Sequence, residues 1–331
     1  MIPRVARLQP VSEAERAEIS AASRTSTAHR ALLDRLPGMN AVQCGGQASV
    51  PHLPADFTVL AWNLERCLFP RDSAAHVAPW APQVLLLSEM DHGMARTGQR
   101  HTTEDMARAL GMAYAFGVEF FEMGLGGATE RAFCKEDENR YGWHGNAILS
   151  AVPFEDATMF RLDDHGHWFI PDAGGDAGQP RIGGRNAIAA ILPGADGPIC
   201  FVSTHLESNA RARHRAKQFD RLMDEVDRFA PDMPVVIGGD LNTGNSTPPD
   251  DDWRNEPLFE RAEARGYGWS STPAGVTTRP SLITPHPARR MKLDWLCARR
   301  LTCLRNAVLP SLDATGRPLS DHDAVLATLR R

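Results

Sequence analysis

Short apolar runs of strand length recur along the chain and alternate with polar or amphipathic segments. Nine of these runs have the length and composition of strands buried in a core. They lie at residues 57–65, 83–89, 114–121, 146–151, 186–192, 199–207, 234–242, 293–298 and 324–329. Residues 103–110 and 210–229 are predicted helices between them. This interleaving of strands and helices predicts a mixed α/β fold.

The chain before residue 57 follows a different pattern. Residues 12–36 are predicted to form one helix, which ends at Pro37 and Gly38. Residues 43–56 contain Gly and Pro and are predicted to connect this helix to the first strong strand. We therefore predict an N-terminal helical extension and connector over residues 1–55 and one main domain over residues 56–331.

Composition and charge indicate a globular enzyme and disfavour a membrane-spanning protein or a protein that coats nucleic acid. With 42% hydrophobic and 23% charged residues the chain resembles a globular enzyme, and no apolar stretch approaches the ~18 residues that span a bilayer. The N-terminus lacks the apolar run of a secretory signal, so we expect a cytoplasmic protein. The six cysteines are scattered without a C-x-x-C pair, which suggests neither a zinc knuckle nor a thioredoxin-like motif. The net charge of −5 disfavours a nucleic-acid-coating role, although a bound cation would still allow an anionic substrate.

Polar side chains stand at the ends of several apolar strands. Residues two apart share one face of an extended chain, so the strand ending in FVSTHLES directs His205 and Glu207 the same way. Ionised carboxylates that are buried together need a cation, hydrogen bonds or shared protons. Oxygen-rich clusters suit magnesium or manganese. The other strand ends carry Asn63, Glu65, Glu89, Asp91, Asp240, Asn242, Asp294, Asp321, His322 and Asp323.

Six motifs occur in a fixed order between residues 62 and 325: WNLE, LLLSE, STHLES, IGGDLNT, KLDW and SDHDAV. In that order they resemble the motifs of the endonuclease/exonuclease/phosphatase superfamily. Its members include deoxyribonuclease I, abasic-site endonucleases, sphingomyelinases and inositol-polyphosphate 5-phosphatases. The resemblance implies a four-layer α/β/β/α sandwich with two mixed β-sheets and a site at one rim.

The resemblance also implies a metal centre that holds Mg²⁺ or Mn²⁺. Glu89 would be the principal ligand, Asn63 would lie beside it, and Asp321 would complete the shell.

The remaining motif residues would act on the substrate. Asp240 would orient or deprotonate the attacking water, and Asn242 would hold that water or a phosphate oxygen. His322, oriented by Asp294, would contact the scissile phosphate. His205 would donate a proton to a phosphate or leaving-group oxygen.

The chain departs from the family pattern at three points. Glu65 stands where many members have Asp. His205 stands where abasic-site endonucleases have tyrosine, which indicates the deoxyribonuclease and lipase-like branches. Met90 and Asp91 follow Glu89 where some nucleases carry a lysine, and this added negative charge disfavours tight binding of nucleic acid.

Five residues are candidates for substrate binding, each with a structural alternative. Glu65 is on the motif face, and His144 and Asn146 flank the start of a strand. Arg181 and Arg185 flank the residues IGG at the end of a glycine-rich stretch, 172–184, and are suited to clamp a phosphate, although a purely structural role is equally expected.

The sequence is compatible with several functions. The leading hypothesis is a metal-dependent phosphodiesterase that uses an activated water, with a phosphoester as its partner. The alternatives are a nuclease, a phosphomonoesterase and a non-catalytic binding module on the same fold. A serine hydrolase built on Ser320 and His322 is disfavoured, because the sequence has no G-x-S-x-G elbow.

Overall fold

Strands with buried side chains on both faces form the centre of the molecule. The computed structural model describes residues 2–171, 179–246, 252–285 and 290–331. Along the β3 strand, Asp56–Arg66, the nine residues between the first and the last are all buried. Such near-continuous apolar strands are typical of sheets covered on both sides.

The larger of the two sheets contains both ends of the chain. Its strands are β1 (Arg4–Val5), β2 (Val42–Gly46), β3, β4 (Val84–His92), β5 (Ala113–Glu122), β6 (Trp143–Ser150), β8 (Arg181–Gly183), β13 (Thr302–Leu309) and β14 (Ala324–Arg330). Their order across the sheet is β1-β2-β5-β6-β4-β3-β14-β13, and β8 pairs with β5. The pairs β1/β2 and β3/β4 are parallel, and the others are antiparallel.

The second sheet has five strands among the described residues. They are β7 (Asp156–Arg161), β9 (Asn186–Leu192), β10 (Ile199–His205), β11 (Val235–Asp240) and β12 (Asp294–Arg299). The order is β12-β11-β10-β9-β7, and only β10/β11 is a parallel pair.

The two sheets pack face to face and helices cover their outer faces. Alternate residues of β3 point to opposite sides, so Val59 and Ala61 face the second sheet, whereas Leu60 and Trp62 face outward. Helices α3 (Pro70–Val77) and α4 (Thr102–Leu110) lie outside the larger sheet; α6 (Ala212–Phe229) and α7 (Leu258–Ala264) lie outside the smaller one. A short helix, α5 (Ala128–Arg131), lies between β5 and β6. The predicted α/β/β/α sandwich is confirmed.

The N-terminal residues differ from the prediction in two ways. The single helix predicted over residues 12–36 is two helices, α1 (Glu13–Ala21) and α2 (Ser26–Arg35), because Thr25 accepts a hydrogen bond from the Ala28 N–H and caps a second helix. The predicted connector contains β2, which pairs antiparallel with β5. Residues 1–55 therefore contribute strands to the larger sheet and, through Ile19 and Leu32, side chains to its outer core. The boundary at residue 55 stays a prediction.

In the described parts of the chain, no helix combines the length and the apolar character that crossing a membrane requires.

Candidate active site

The carboxyl ends of two parallel strand pairs, one from each sheet, meet at the same rim. β3 and β4 supply Asn63 and Glu89, and β10 and β11 supply His205 and Asp240. The Asn63 side chain joins the two sheets, because its Nδ2 atom donates to Glu89 Oε1 at 3.0 Å and to Asp240 Oδ2 at 3.1 Å. The motifs that are far apart in sequence are thus brought together.

Unusual backbone conformations occur at these strand ends. Glu65, Arg66, Cys67, Glu89 and Asn242 all have positive φ, between 45° and 75°. The pairing register of β3 with β4 also shifts after Asn63, and that of β4 with β6 shifts after residue 87. Left-handed non-glycine residues of this kind cost about 1–3 kcal/mol each and cluster at functional sites. Here they turn Glu65 and Glu89 out of the regular strand alternation.

Oxygen ligands cluster on the β3 side of the rim. The Asn63 Oδ1 atom accepts the Glu65 N–H at 3.0 Å, and Glu65 Oε2 accepts the Asp321 N–H at 3.1 Å. Burial and the nearby Asp321 carboxylate raise the pKa of Glu65 to about 7, against hydrogen bonds from Ser281 and Thr284. Negative charge is therefore in excess here, and the donors are the hard oxygens that Mg²⁺ and Mn²⁺ prefer. This donor set fits such a cation.

A histidine and two aspartates form the opposite side of the rim. Asp294 pairs with Asp240 across β11 and β12, and its Oδ2 accepts the His322 Nδ1–H at 2.7 Å. His322 Nε2 lies 3.7 Å from Asp240 Oδ2 and 3.8 Å from Asp321 Oδ1. Although burial would lower the pKa of His322, these carboxylates raise it well above its usual value. For Asp294 burial acts in the other direction and raises the pKa to about 6. The Asp294–His322 pair therefore retains a proton.

Asp240, Asp294 and His322 are close enough to be a metal site themselves, with one ligand atom of each within 4.8 Å of the others. The short contact between Asp294 and His322 Nδ1 already commits that nitrogen to the carboxylate. The geometry therefore favours a proton-holding pair beside Asp240.

Asn242 supports Asp240. Its backbone N–H donates to Asp240 Oδ1 at 2.8 Å, and its side-chain amide donates to the Leu206 carbonyl at 3.0 Å and accepts from Asn245 at 2.7 Å. The Asn242 side chain thus fixes the turn after β11, and its expected role in holding water stays a prediction.

His205 contacts Arg185, and this contact was not predicted from the sequence. Its Nδ1 atom lies 2.9 Å from Arg185 Nη1, and its Nε2 atom lies 3.5 Å from Asp240 Oδ2. A guanidinium only donates, so Nδ1 is the acceptor and the ring carries its proton on Nε2. His205 therefore presents an N–H toward the Asp240 side of the rim.

Arg185 is not an open phosphate clamp. The side chain is buried and donates to Glu119 Oε1 and Glu207 Oε2, each at 3.1 Å. Burial would raise the pKa of Glu119 and of Glu207, but Arg185 together with the other neighbours of each acid outweighs burial and lowers each pKa to about 2. Both acids thus remain charged and hold Arg185 against His205. Glu119, a lone acid within the apolar run of β5, was missed at the level of sequence.

The other three candidates for substrate binding are also engaged by protein groups. His144 Nδ1 lies 2.8 Å from Asp91 Oδ1, and the fully buried Asn146 amide donates to Asn186 Oδ1 at 2.7 Å. Arg181 lies 3.2 Å from Glu122. In each case a buried side chain of the protein occupies the polar atoms that were predicted to contact substrate. Of the five candidates only Glu65 lies among the side-chain oxygens at the end of β3.

A buried ion network continues behind Glu89. Arg66 contacts Glu89 and Glu130, and Arg96 joins Glu130 to Asp91 through two 2.8 Å bonds to the Asp91 carboxylate. The charge of Asp91, taken from the sequence as unfavourable to nucleic acid, is therefore neutralised inside the protein. The Asp91 carboxylate therefore adds no open negative charge at the rim, and the expectation that nucleic acid is not favoured stays a prediction.

Ser320 is not placed as a nucleophile. Its hydroxyl donates to the Asn63 carbonyl at 2.6 Å and accepts the His322 backbone N–H at 3.0 Å. Both bonds hold the turn that carries His322.

Comparisons with known proteins show the family of the chain and its fold. Residues 60–322 match the model of the Endonuclease/Exonuclease/phosphatase family. No curated protein matches the chain.

Solved structures resemble the chain in fold at low sequence identity. An endonuclease/exonuclease/phosphatase from Beutenbergia cavernae DSM 12333 is 19% identical, with a TM-score of 0.60 over 83% of this chain and 71% of that one. The human Nocturnin catalytic domain with bound sulfate anion is 16% identical, with a TM-score of 0.54 over 87% and 96%. D. rerio TDP2 complexed with single strand DNA product is 18% identical, with a TM-score of 0.54 over 83% and 99%.

Proposed function

Because the chain belongs to the endonuclease/exonuclease/phosphatase family, we propose that it is a divalent-metal-dependent phosphodiesterase. One observation carries the proposal: Asn63 donates both to Glu89 on the oxygen-ligand side and to Asp240 beside the His322–Asp294 pair. The candidate metal ligands and the groups proposed to carry protons therefore lie on opposite sides of Asn63 and face the same rim.

Asn63, Glu65, Glu89 and Asp321 would hold the Mg²⁺ or Mn²⁺ ion. When bound, the cation neutralises charge on the phosphate oxygens and offsets the excess of carboxylates that raises the pKa of Glu65.

The protein groups opposite the cation would handle the water and the leaving group. Asp240, held by the Asn242 N–H and the Asn63 amide, is the acceptor that orients the attacking water. His322 carries a proton because Asp294 stabilises its charged form, and it is placed to donate to an oxygen of the phosphate. His205 offers a second donor from Nε2. General acid or base assistance of this kind contributes about 10²–10⁴ in rate.

Two alternatives belong to the same chemistry, a nuclease and a phosphomonoesterase. Retention of every motif carboxylate and both histidines argues against a non-catalytic binding module. The cytoplasmic location expected from the sequence stays a prediction.

The deciding experiment measures hydrolysis of bis(p-nitrophenyl) phosphate and p-nitrophenyl phosphate with Mg²⁺, with Mn²⁺ and with EDTA. Wild type is compared with Asp240→Asn and with Asp232→Asn, a matched control whose side chain is 92% exposed. Metal-dependent diester cleavage that only Asp240→Asn abolishes is the expected result. Preference for the monoester would indicate a phosphatase, and equal activity of both variants would contradict the site.

A further inference from the structure

Arg66 is in direct contact with Glu89, the principal ligand in the metal site proposed above. Its Nη1 atom donates to Glu89 Oε2, while the Asn63 amide donates to Glu89 Oε1 at 3.0 Å. Both carboxylate oxygens of Glu89 therefore have protein partners, and one of these partners is positively charged. Because like charges at contact distance repel strongly, Arg66 weakens the binding of a divalent cation for as long as it stays on Glu89.

A left-handed turn at the end of β3 places Arg66 in this position. Glu65, Arg66 and Cys67 have positive φ in succession, at 45°, 75° and 56°. After the register shift Arg66 pairs with Met90 of β4, the residue that follows Glu89. Left-handed non-glycine residues are costly and persist only where the surrounding structure requires them. The contact between Arg66 and Glu89 is therefore built into the backbone at both strand ends.

A second contact anchors the Arg66 guanidinium at its Nε atom. Nε donates to Glu130 Oε1 at 2.9 Å. Glu130 is itself fixed, since Arg96 Nη1 donates to the same oxygen at 3.0 Å and the Gly127 N–H donates to Oε2 at 2.8 Å. Glu130 would thus hold Nε in place while the two Nη groups exchange one anion for another.

Arg66 differs from Arg185 in having a donor to spare. Every guanidinium nitrogen of Arg185 has a partner: Nε donates to Glu207, Nη1 to Glu119 and Nη2 to Ser208. In the described part of the chain Arg66 Nη2 has no hydrogen-bond partner, and the Arg66 side chain is 18% exposed, against 6% for Arg185. The fork of a guanidinium matches two oxygens of a phosphate group. Of these two arginines, Arg66 is therefore the one that is suited to bind a ligand.

We propose that Arg66 binds a phosphate group of the substrate, and that its Nη groups leave Glu89 for that phosphate when the divalent cation binds. The inference rests on the proposed function and adds a residue that couples metal binding to substrate binding. In the exchange Arg66 stays paired with an anion, and Glu89 becomes available to the cation. Because coupling between two ligands is reciprocal, a bound phosphate group should raise the affinity for the metal, and the metal should raise the affinity for phosphate.

Metal binding, measured without any reaction, gives the first test. Mn²⁺ is titrated into wild type, Arg66→Gln, Arg66→Lys and Arg221→Gln, and the free ion is followed by electron paramagnetic resonance. Arg221 is an exposed arginine on α6, so Arg221→Gln controls for the loss of one charge. Each titration is made in sodium chloride and in sodium sulfate of equal ionic strength, since sulfate has the shape and the charge of a phosphate group.

The expected Mn²⁺ affinities separate the charge of Arg66 from its geometry. In chloride Arg66→Gln should bind Mn²⁺ about tenfold more tightly than wild type, because the repelling charge is gone. Sulfate should raise the affinity of wild type and of Arg221→Gln more than that of Arg66→Gln. Arg66→Lys keeps the charge but cannot hold Glu130 and an anion together, so its affinity in chloride should match that of wild type and its response to sulfate should be weak.

Kinetics on bis(p-nitrophenyl) phosphate at saturating Mn²⁺ give the second test. Arg66→Gln should raise KM by about tenfold or more, with a smaller change in kcat, because a charge-assisted contact to the phosphate is lost. Arg221→Gln should keep both constants. The variant should fold, since Arg96 still neutralises Glu130, and a melting curve checks this. A purely structural Arg66 predicts the opposite result for the metal, because its loss would misplace Glu89 and weaken Mn²⁺ binding.

The inference and the proposed function fail in different ways. If wild type cleaves the diester with Mn²⁺ and Asp240→Asn does not, but Arg66→Gln keeps the wild-type KM and response to sulfate, the function stands and the role of Arg66 is overturned. Mn²⁺ binding by Arg66→Gln that is no tighter than that of wild type in chloride would also overturn it. If the response to sulfate depends on Arg66 while no phosphoester is cleaved with any metal, the coupling stands and the proposed function fails.

Discussion

The Nδ1 atom of His205 lies 2.9 Å from the Nη1 atom of Arg185, so an arginine determines which ring nitrogen of this histidine carries the proton. A carboxylate at that position would instead hold the proton on Nδ1. Glu119 is near, with Oε2 3.6 Å from Nδ1, but it is itself paired with Arg185. Arg185 is therefore a positioning residue for a donor at Nε2.

Arg185→Gln should lower kcat by about a hundredfold, with a smaller change in KM, because His205 loses its fixed tautomer. ¹⁵N NMR of labelled histidines should show Nδ1 of His205 unprotonated in wild type and protonated in part in the variant. Since the variant leaves Glu119 and Glu207 without their cation, Arg185→Gln/Glu119→Gln serves as a second variant with less uncompensated charge. A protonated Nδ1 in the wild type would contradict the assignment.

Asp294→Asn should reduce kcat by about 10²–10⁴-fold while the fold remains intact. The asparagine keeps the shape of the fully buried side chain but no longer stabilises the charged form of His322. Steady-state kinetics on the diester, together with a melting curve, would separate the two effects. A loss of less than tenfold would mean that His322 does not act as a proton donor.

Glu89→Gln should remove the stabilisation that a divalent cation gives to the folded protein. A metal at one hundred times its Kd adds about 2.7 kcal/mol to the free energy of unfolding. Thermal melting with and without Mn²⁺ should therefore show a clear rise for wild type and for Glu263→Gln, an exposed control, but little for Glu89→Gln. An equal rise in all three proteins would exclude Glu89 as a ligand.

Acid should destabilise the fold through two stacked histidines, the buried His92 and the half-buried His101, whose ring nitrogens are inaccessible to solvent. The His92 and His101 rings lie 4.0 Å apart, and burial lowers the pKa of His92 to about 4 and that of His101 well below its usual value. The unfolded chain binds these protons near pH 6.5, so the free energy of unfolding falls by about 1.4 kcal/mol per pH unit for each histidine as pH drops from 6.5 toward 4.

His101→Phe should weaken that dependence. Among the described residues the His101 ring nitrogens have no hydrogen-bond partner, so phenylalanine leaves no group unpaired. Urea unfolding at pH 7, 6 and 5 should show the variant gaining on the wild type as pH falls, and His52→Gln, an exposed control, should not gain. Parallel curves for His101→Phe and wild type would show that His101 titrates normally.

Local sequence pattern predicts much of this fold and less of its site. The buried central strands combine strong β-propensity with bounded length, and all nine predicted runs contain strands of the two sheets. β13 was missed because most of its residues are exposed or half-exposed and give no apolar run. β2 was missed because its glycines are typical of a turn.

In the site, too, local sequence predicts some residues and misses the contacts of others. Strand-end residues such as Asp240 and His322 belong to short motifs, so a few neighbouring residues in the sequence are enough to identify them as candidates. The partners of Arg185 and of Asp91 are set by packing between elements that are distant in the chain, and a lone charged residue in a sequence does not indicate which ion it meets. For this reason Arg185 and His144 were predicted to contact substrate, whereas buried carboxylates hold them.

The position of β14 has a consequence for folding during synthesis. β14 pairs with β3 on one side and β13 on the other, so Thr58 near the start of β3 meets Thr328, 270 residues later. The larger sheet therefore has a gap in its interior until Ala324–Arg330 have left the ribosome. Until then β3 has one unpaired edge, and such an edge is open to pairing with strands of other chains.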